Sequence, residues 1–399
     1  MIMGMKRFKI TGGEVITSGE NLGQATVLVG DGRILGIEKG NVDDSSFETV
    51  DATGCYVMPG FIDIHTHGSG NHDFMDCTAE ACRGIAREHA RHGTSLMFPT
   101  TLASDTEELF RFLDVYDSVK EDTGGAAFGG LHLEGPYFAY AFRGAQDPKY
   151  LKNPTPEEYM PVLERSQDIR RWSIAPELPG ALELGRLLSE RGILPSVAHT
   201  DAIYEDVVAA YDAGYRMITH FYSCMNGVTR RNAFRYAGCI EAGYLIDDMT
   251  LEVIGDGIHV PAPLLKLILK NKPVGKIVLC TDSMRGAGMP EGTTSILGSL
   301  AKGQEVIIED GVAKMPDRTC FAGSVCTTER LVRTMNRLGG ASLPDSVMMV
   351  TENPARMMGV GDHTGSLKAG YDADLVICDK DINVKRTYSR GRLIFDTVL

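Results

Sequence analysis

At 399 residues the chain is too long for one ordinary domain and suits a barrel with an accessory domain. With 43% hydrophobic and 23% charged residues it has the balance of a folded globular protein, which excludes a largely disordered chain. Forty basic against 53 acidic residues leave a net charge of −13, which excludes broad nucleic-acid or anionic-membrane binding and obliges any anionic ligand to meet a local cluster of cations.

Residues 1–10 lack the apolar core and small-residue cleavage site of a secretion signal, and no window holds 18 uninterrupted apolar residues. Neither export nor a membrane-spanning helix is expected. Residues 6–55 read as short strands with Gly-rich turns, and Asp31-Gly32 predicts a hairpin. From residue 55 onward short apolar or β-branched runs recur, at 56–64, 95–98, 127–133, 172–175, 194–198, 217–219, 250–254 and 276–280. Between them the spacing predicts amphipathic helices. One covers 104–120, where Leu109, Phe112, Leu113 and Tyr116 share a face and Ser104 and Glu107 stand in capping-box spacing. Another covers 202–213, with Ile203, Val207 and Tyr211 on one stripe. Strands alternating with helices imply parallel pairing, and eight such units in about 300 residues point to a closed barrel rather than an open doubly wound sheet. The stretch from Gly365 onward has the texture of the N-terminal region, and neither end is long enough to fold well alone. The expected fold is therefore α/β: a (β/α)8 TIM-like barrel over 58–358, with a small β-sandwich domain built from both termini, 1–57 and 359–399. The nine cysteines form no C-x-x-C pair, and their odd number and irregular spacing argue for a reducing, cytoplasmic setting.

The polar residues that interrupt this pattern fall at the ends of the runs. His65-Thr66-His67 closes the first. On a strand, positions i and i+2 share a face, and two neutral imidazoles there suit a transition metal such as zinc or iron. Alone, the pair is a weak signal and more often marks two satisfied or exposed histidines. Glu134 follows the third run, His199 the fifth, His220 the sixth and Asp282 the eighth. In a (β/α)8 barrel these ends converge on one mouth. Singly, each is a cap, a core histidine or a loop contact. Together, the six specify a site for one or two divalent transition-metal ions, zinc or iron. Glu134 would bridge two ions, and a water held there would have its pKa lowered from about 15.7 to about 7. Asp282 would accept the water's proton and hand it to a leaving amine.

The ordered motifs PGFIDIHTHG, HLEGPY, VAHTDA, THFYSCM, GDGIHV and LCTDSM, followed by FAGSV and ENPARMMGVGDHTGSLKAGYDADLVI, resemble those of the N-acetylglucosamine-6-phosphate deacetylases of the amidohydrolase superfamily. HLEGP carries a glutamate where many superfamily members have a lysine ligand, which points to this branch. The resemblance implies the barrel, the β-domain from both termini, usually a homodimer, and hydrolysis of N-acetylglucosamine 6-phosphate to glucosamine 6-phosphate and acetate in amino-sugar catabolism. It implies Glu134, His199 and His220 as the metal ligands common to the family. His65 and His67 match the members that hold a second ion, Asp282 the catalytic acid/base, and His259 a substrate contact. His132 is expected to pack beside or support Glu134.

Two stretches depart from the family pattern. Gly144-Ala145-Gln146-Asp147-Pro148 stands where Gly-Ala/Thr-His-Asn-Pro is frequent. Gln146 donates a hydrogen bond but carries no charge. Ser223-Cys224 stands where Asn-Ala or Asn-Gly is common. Both departures bear on which sugar is bound rather than on the chemistry. Arg230, Arg231 and Arg235 form a local basic cluster, and arginine suits phosphate. The resemblance implies that an arginine from here, Arg231 by best match, reaches the phosphate, often of the neighbouring subunit; the alternative is a solvated loop of charges. Backbone amides of Phe321, Ala322 and Gly323 are implied to cap the ligand's other side. Three competing functions remain: the same reaction on N-acetylgalactosamine 6-phosphate, another amidohydrolase activity such as cyclic-amide hydrolysis or nucleobase deamination, and a non-catalytic metal-binding sensor or scaffold. The arginines argue against the second and Asp282 against the third.

Overall fold

The computed structural model describes residues 7–397. The expectation that no export signal is present rests largely on residues 1–6, which lie outside the described residues.

Both termini build one nine-stranded sheet. Phe8–Thr11, Glu14–Thr17, Glu20–Gly30, Arg33–Lys39, Glu48–Asp51 and Tyr56–Pro59 come from the N-terminal side, and Leu375–Cys378, Val384–Ser389 and Arg392–Asp396 from the C-terminal side. The two contributions meet where Leu375–Cys378 runs antiparallel to Tyr56–Pro59, with Val376 opposite Met58. Ile10, Val27, Val29, Leu375 and Ile377 lie in its shared core. The Asp31-Gly32 hairpin forms as expected. Gly30 faces Arg33, and Asp31 and Gly32 have φ of 52° and 75°, the two positive values that a two-residue I′ turn requires.

Eight parallel strands follow: β1 (Phe61–Thr66), β2 (Thr94–Pro99), β3 (Leu131–Glu134), β4 (Ile169–Ile174), β5 (Leu194–Val197), β6 (Met217–Ile218), β7 (Thr250–Ile254) and β8 (Ile277–Cys280). β3 to β8 pair in chain order, and β1 pairs with β2, which also carries the short strand Ala127–Phe128. Isolated parallel bridges link the two sets, Thr66 with Ser283 and Thr100 with His132. Covered on both faces, such strands read as continuous apolar runs, and every residue of β1, β2, β7 and β8 is buried. Among the described residues no helix is long and apolar enough to cross a membrane.

Three expectations need correction. The run at 56–64 is two strands, one in each sheet. The chain changes sheet at Gly60, where a Cβ would lie 2.2 Å from Ser95 Oγ, so only glycine fits. The helix expected over 104–120 is Thr106–Val119, and its cap is Asp105, whose carboxylate accepts from Glu108 N at 2.8 Å. A carboxylate satisfies the open amides and the helix dipole together, which the Ser104 hydroxyl does not. Thirdly, a three-stranded antiparallel sheet that the periodicity did not announce, Thr294–Leu297, Gln304–Glu309 and Val312–Lys314, follows β8.

Candidate active site

The strand ends deliver the expected residues to one place. His65 and His67 flank Thr66, whose hydroxyl turns away to Ser283 Oγ at 2.8 Å. Glu134 closes β3. His199, His220 and Asp282 each lie two residues beyond their strands, with φ of 46°, 32° and 46°. Non-glycine residues seldom adopt this left-handed conformation. It costs on the order of 1–3 kcal/mol each and persists only where the surroundings impose it. At Asp282 the flanking backbone does so. Asp282 N donates to His65 O at 2.9 Å, and Ser324 N donates to Asp282 O at 2.7 Å. Each kink swings a side chain from the strand into the mouth.

Glu134 stands at the centre. Its Oε1 lies 3.4 Å from His65 Nε2, 3.4 Å from His199 Nε2 and 3.2 Å from His220 Nε2. Its Oε2 lies 3.5 Å from His67 Nε2 and accepts from Gln146 Nε2 at 2.7 Å. Asp282 Oδ1 is 3.2 Å from His67 Nε2 and 3.4 Å from His65 Nε2. All six side chains are buried.

The donors fit a metal. His65, His67 and Glu134 form one group, and Glu134, His199 and His220 another, with ligand atoms inside each group within 4.8 Å of one another. His199 Nδ1 donates to Phe142 O at 2.9 Å, which leaves Nε2 as the nitrogen with a lone pair. That Nε2 lies 3.1 Å from His220 Nε2. Two such nitrogens converging beside a carboxylate suit a shared cation. His65 Nε2 is buried with no hydrogen-bond partner. Burial opposes charge on His65, yet Asp282, Glu252 and Glu134 push its pKa up to about 10. The local field therefore favours positive charge at this spot. A third group, His65, Glu252 and Cys280, is a poorer candidate. Burial pushes the Cys280 thiol up, away from the thiolate a metal needs, and Arg171 already engages Glu252.

Beside these donors lies a cavity of about 450 Å³, within the roughly 300–1,000 Å³ of small-molecule sites. Ala145, Gln146, Ser223, Cys224, His259, Phe321 and Gly323 line it together with His67, Glu134, His199, His220 and Asp282. His259 Nδ1 donates to Asp256 Oδ2 at 2.7 Å, which turns the opposite ring edge outward. His132 does not line the cavity. Its nitrogens meet Thr100 Oγ1 (3.2 Å) and Ser173 Oγ (2.7 Å), and its ring packs edge-on against His65.

Two expectations fare differently. Ala322 is fully buried and its amide already donates to Ala313 O at 3.0 Å, so it does not cap a ligand. Arg230, Arg231 and Arg235 occupy an exposed hairpin, Thr229–Arg231 with Phe234–Tyr236, and do not line the cavity. The cations that do line it, Lys314 and Arg318, come from the unannounced antiparallel sheet and the loop after it. Sequence reasoning also missed Glu252, Arg171 and Asp256. The signal for the first two was a charge inside an apolar run, TLEVI and IRRWSI.

Imidazole and carboxylate donors at the ends of parallel strands, with an aspartate in the same cavity, define the class of metal-dependent hydrolases. The chain belongs to the Amidohydrolase family, whose profile matches residues 56–394. It is 32% identical over 343 residues to the N-acetylglucosamine-6-phosphate deacetylase of Vibrio furnissii, covering 85% of this chain and 83% of that one. To the N-acetylgalactosamine-6-phosphate deacetylase of Escherichia coli it is 32% identical over 340 residues, covering 84% and 87%. Among solved structures, a mutant N-acetyl-D-glucosamine-6-phosphate deacetylase from Mycobacterium smegmatis, in complex with N-acetyl-D-glucosamine-6-phosphate, is similar at a TM-score of 0.89 and 28% identity, covering 98% of this chain and 99% of that one.

Proposed function

We propose that this protein hydrolyses the acetamide of N-acetylglucosamine 6-phosphate to glucosamine 6-phosphate and acetate, in amino-sugar catabolism. The observation that carries the reading is Glu134 set between two histidine pairs, with Asp282 on the same cavity wall. The names of the relatives agree with it. The two bridges between the parallel sets support a closed (β/α)8 barrel over 58–358, and the nine-stranded sheet shared by both termini supports one small β-domain of 1–57 and 359–399 beside it. Nine free cysteines suit the cytoplasm.

His65, His67, Glu134, His199 and His220 would hold two zinc or iron ions, with Asp282 at the edge of the set. Bound there, the metal supplies Lewis acidity toward the carbonyl and lowers the pKa of water. The protein's residues do the rest. Asp282 takes a proton as the water oxygen bonds to the acetyl carbon. It returns that proton to the sugar nitrogen as the C–N bond breaks, so that a neutral amine and acetic acid leave, and the second water proton, still on the acid, is then lost to solvent to give acetate. Gln146 holds Glu134 in place, and Ala103 N in turn donates to Gln146 Oε1 at 2.9 Å. Ser223, Cys224, His259 and Phe321 border the volume available to the sugar.

The phosphate we assign to Arg231 of a second copy in a homodimer. Lys314 and Arg318 are closely paired, with Asp310 at 2.6 Å and Glu309 at 2.8 Å, whereas Arg231 is held only loosely, 3.6 Å from Asp201 Oδ2. The arginine hairpin stands outward beside exposed Val228 and Phe234, at 61% and 72%, as an intersubunit element would. A second reading, N-acetylgalactosamine 6-phosphate as substrate, is favoured by the equal 32% identity to each kind of relative.

The test is acetate release by the metal-loaded protein from both acetylated hexosamine phosphates and their unphosphorylated forms. Release from the gluco phosphate in preference to the other three is expected. Preference for the galacto phosphate would transfer the assignment to the epimer, and no release from either phosphate would remove the deacetylase reading.

A further inference from the structure

Glu252 sits in the middle of β7, fully buried, and does not line the cavity. Both of its oxygens are engaged. Oε1 accepts from His65 Nδ1 at 2.9 Å and from His220 N at 3.1 Å. Oε2 is bound by the Arg171 guanidinium. Arg171, fully buried on β4, also donates from Nε to Ser196 Oγ at 2.9 Å, from Nη2 to Thr219 Oγ1 at 2.8 Å and from Nη1 to Ile64 O at 3.5 Å. One carboxylate and one guanidinium thus tie β1, β4, β7 and the ends of β5 and β6 together directly beneath the metal donors.

A purely structural reading explains this poorly. Withdrawing two charges from water costs about as much as their attraction returns, and a well-packed apolar pair serves stability as well or better. The contacts instead fit an orienting task. An imidazole whose Nδ1–H is held by a carboxylate has a fixed tautomer and ring plane. Here that leaves His65 Nε2, which has no hydrogen-bond partner, facing Glu134 and Asp282. His67 lacks such a hold, since its Nδ1 is buried without a partner. The same Glu252 oxygen also receives the amide of His220, which is kept at a φ of 32°.

We infer that Glu252, anchored by Arg171, is the positioning residue that aims His65 Nε2 at an ion shared with His67 and Glu134. The inference rests on the two-ion reading above.

The experiment is zinc binding to the full-length protein, stripped and titrated against a competing chelator, which needs no turnover. Wild type takes up two equivalents. Glu252→Gln keeps one and binds the other 10- to 100-fold more weakly, the usual effect of removing such a partner. His65→Gln weakens the same equivalent. Adding Glu252→Gln to it changes that equivalent no further, because Glu252 acts through His65. Glu252→Gln leaves Arg171 a buried cation without its carboxylate. The double variant Glu252→Gln, Arg171→Met removes both charges and is expected to show the same single loss if the first variant does not fold. Two equivalents at wild-type affinity in either variant, or additive losses with His65→Gln, overturns the inference while the two-ion reading stands. A wild type that holds fewer than two zinc ions overturns both.

Discussion

Burial alone would raise the Asp282 carboxyl, but the His65 and His67 imidazoles beside it hold it below the ordinary aspartate range. It is therefore ionised at neutral pH and ready to take a proton. Asp282→Asn keeps the shape and loses the basicity. The expected result is a fall in kcat of about 10²- to 10⁴-fold, with metal content by elemental analysis unchanged. Near-normal turnover in that variant would show that the proton travels by another group. At this scale the six donors were legible because each interrupts or closes an apolar run, where a polar residue needs a reason. Glu252 and Arg171 were not read, although a charge inside a doubly covered strand has an equally strong need of a partner. Arg170 beside Arg171 hid the signal. Only the strand's alternation, which turns Arg171 inward and leaves Arg170 exposed, tells them apart.

Helix Ala79–Arg91 is locked to helix Thr328–Thr334 by the residue that caps it. His92 Nδ1 meets Glu329 at 3.1 Å, and Nε2 meets Glu88 at 3.2 Å. Burial works against its charge, yet hydrogen bonds to Glu329 and Glu88 push its pKa up to about 9 from 6.5. Because the folded value lies above the unfolded one, the contribution is complete below about pH 6.5 and is lost as pH rises through about 9. It is on the order of 2–3 kcal/mol. Urea unfolding at pH 6 and pH 9.5 is therefore expected to show a larger loss of stability with pH for wild type than for His92→Gln. Parallel losses would contradict the bridge. Elements were legible in kind and less so at their edges. The strand run at 56–64 concealed a change of sheet at Gly60, because hydrophobicity continues across it while the backbone partner changes from Leu375–Cys378 to β2. The sheet after β8 was missed because its short strands are partly exposed and lack a strong period.

The whole molecule joins residues more than 300 positions apart in one terminal sheet and brings histidines from three strands, β1, β5 and β6, to one carboxylate, that of Glu134. Sequence texture disclosed the first, since neither end buries a core alone, and strand-end placement disclosed the second. The reach proposed for Arg231 rests on family resemblance and not on texture, because a contact between copies leaves no pattern within a chain. Mixed dimers test that reach. Arg231→Ala and Asp282→Asn subunits are each expected to be nearly inactive alone. Random pairing of the two restores about a quarter of wild-type activity if the arginine acts across the interface. No recovery would place its action within its own chain or remove it. The account as a whole depends on one convergence, and anomalous scattering at the zinc edge from crystals of the zinc-loaded protein measures it directly. The account predicts a peak about 2.0–2.2 Å from ligand atoms of Glu134, His199 and His220. A dominant zinc peak elsewhere, with those three side chains sharing no ion, would contradict it.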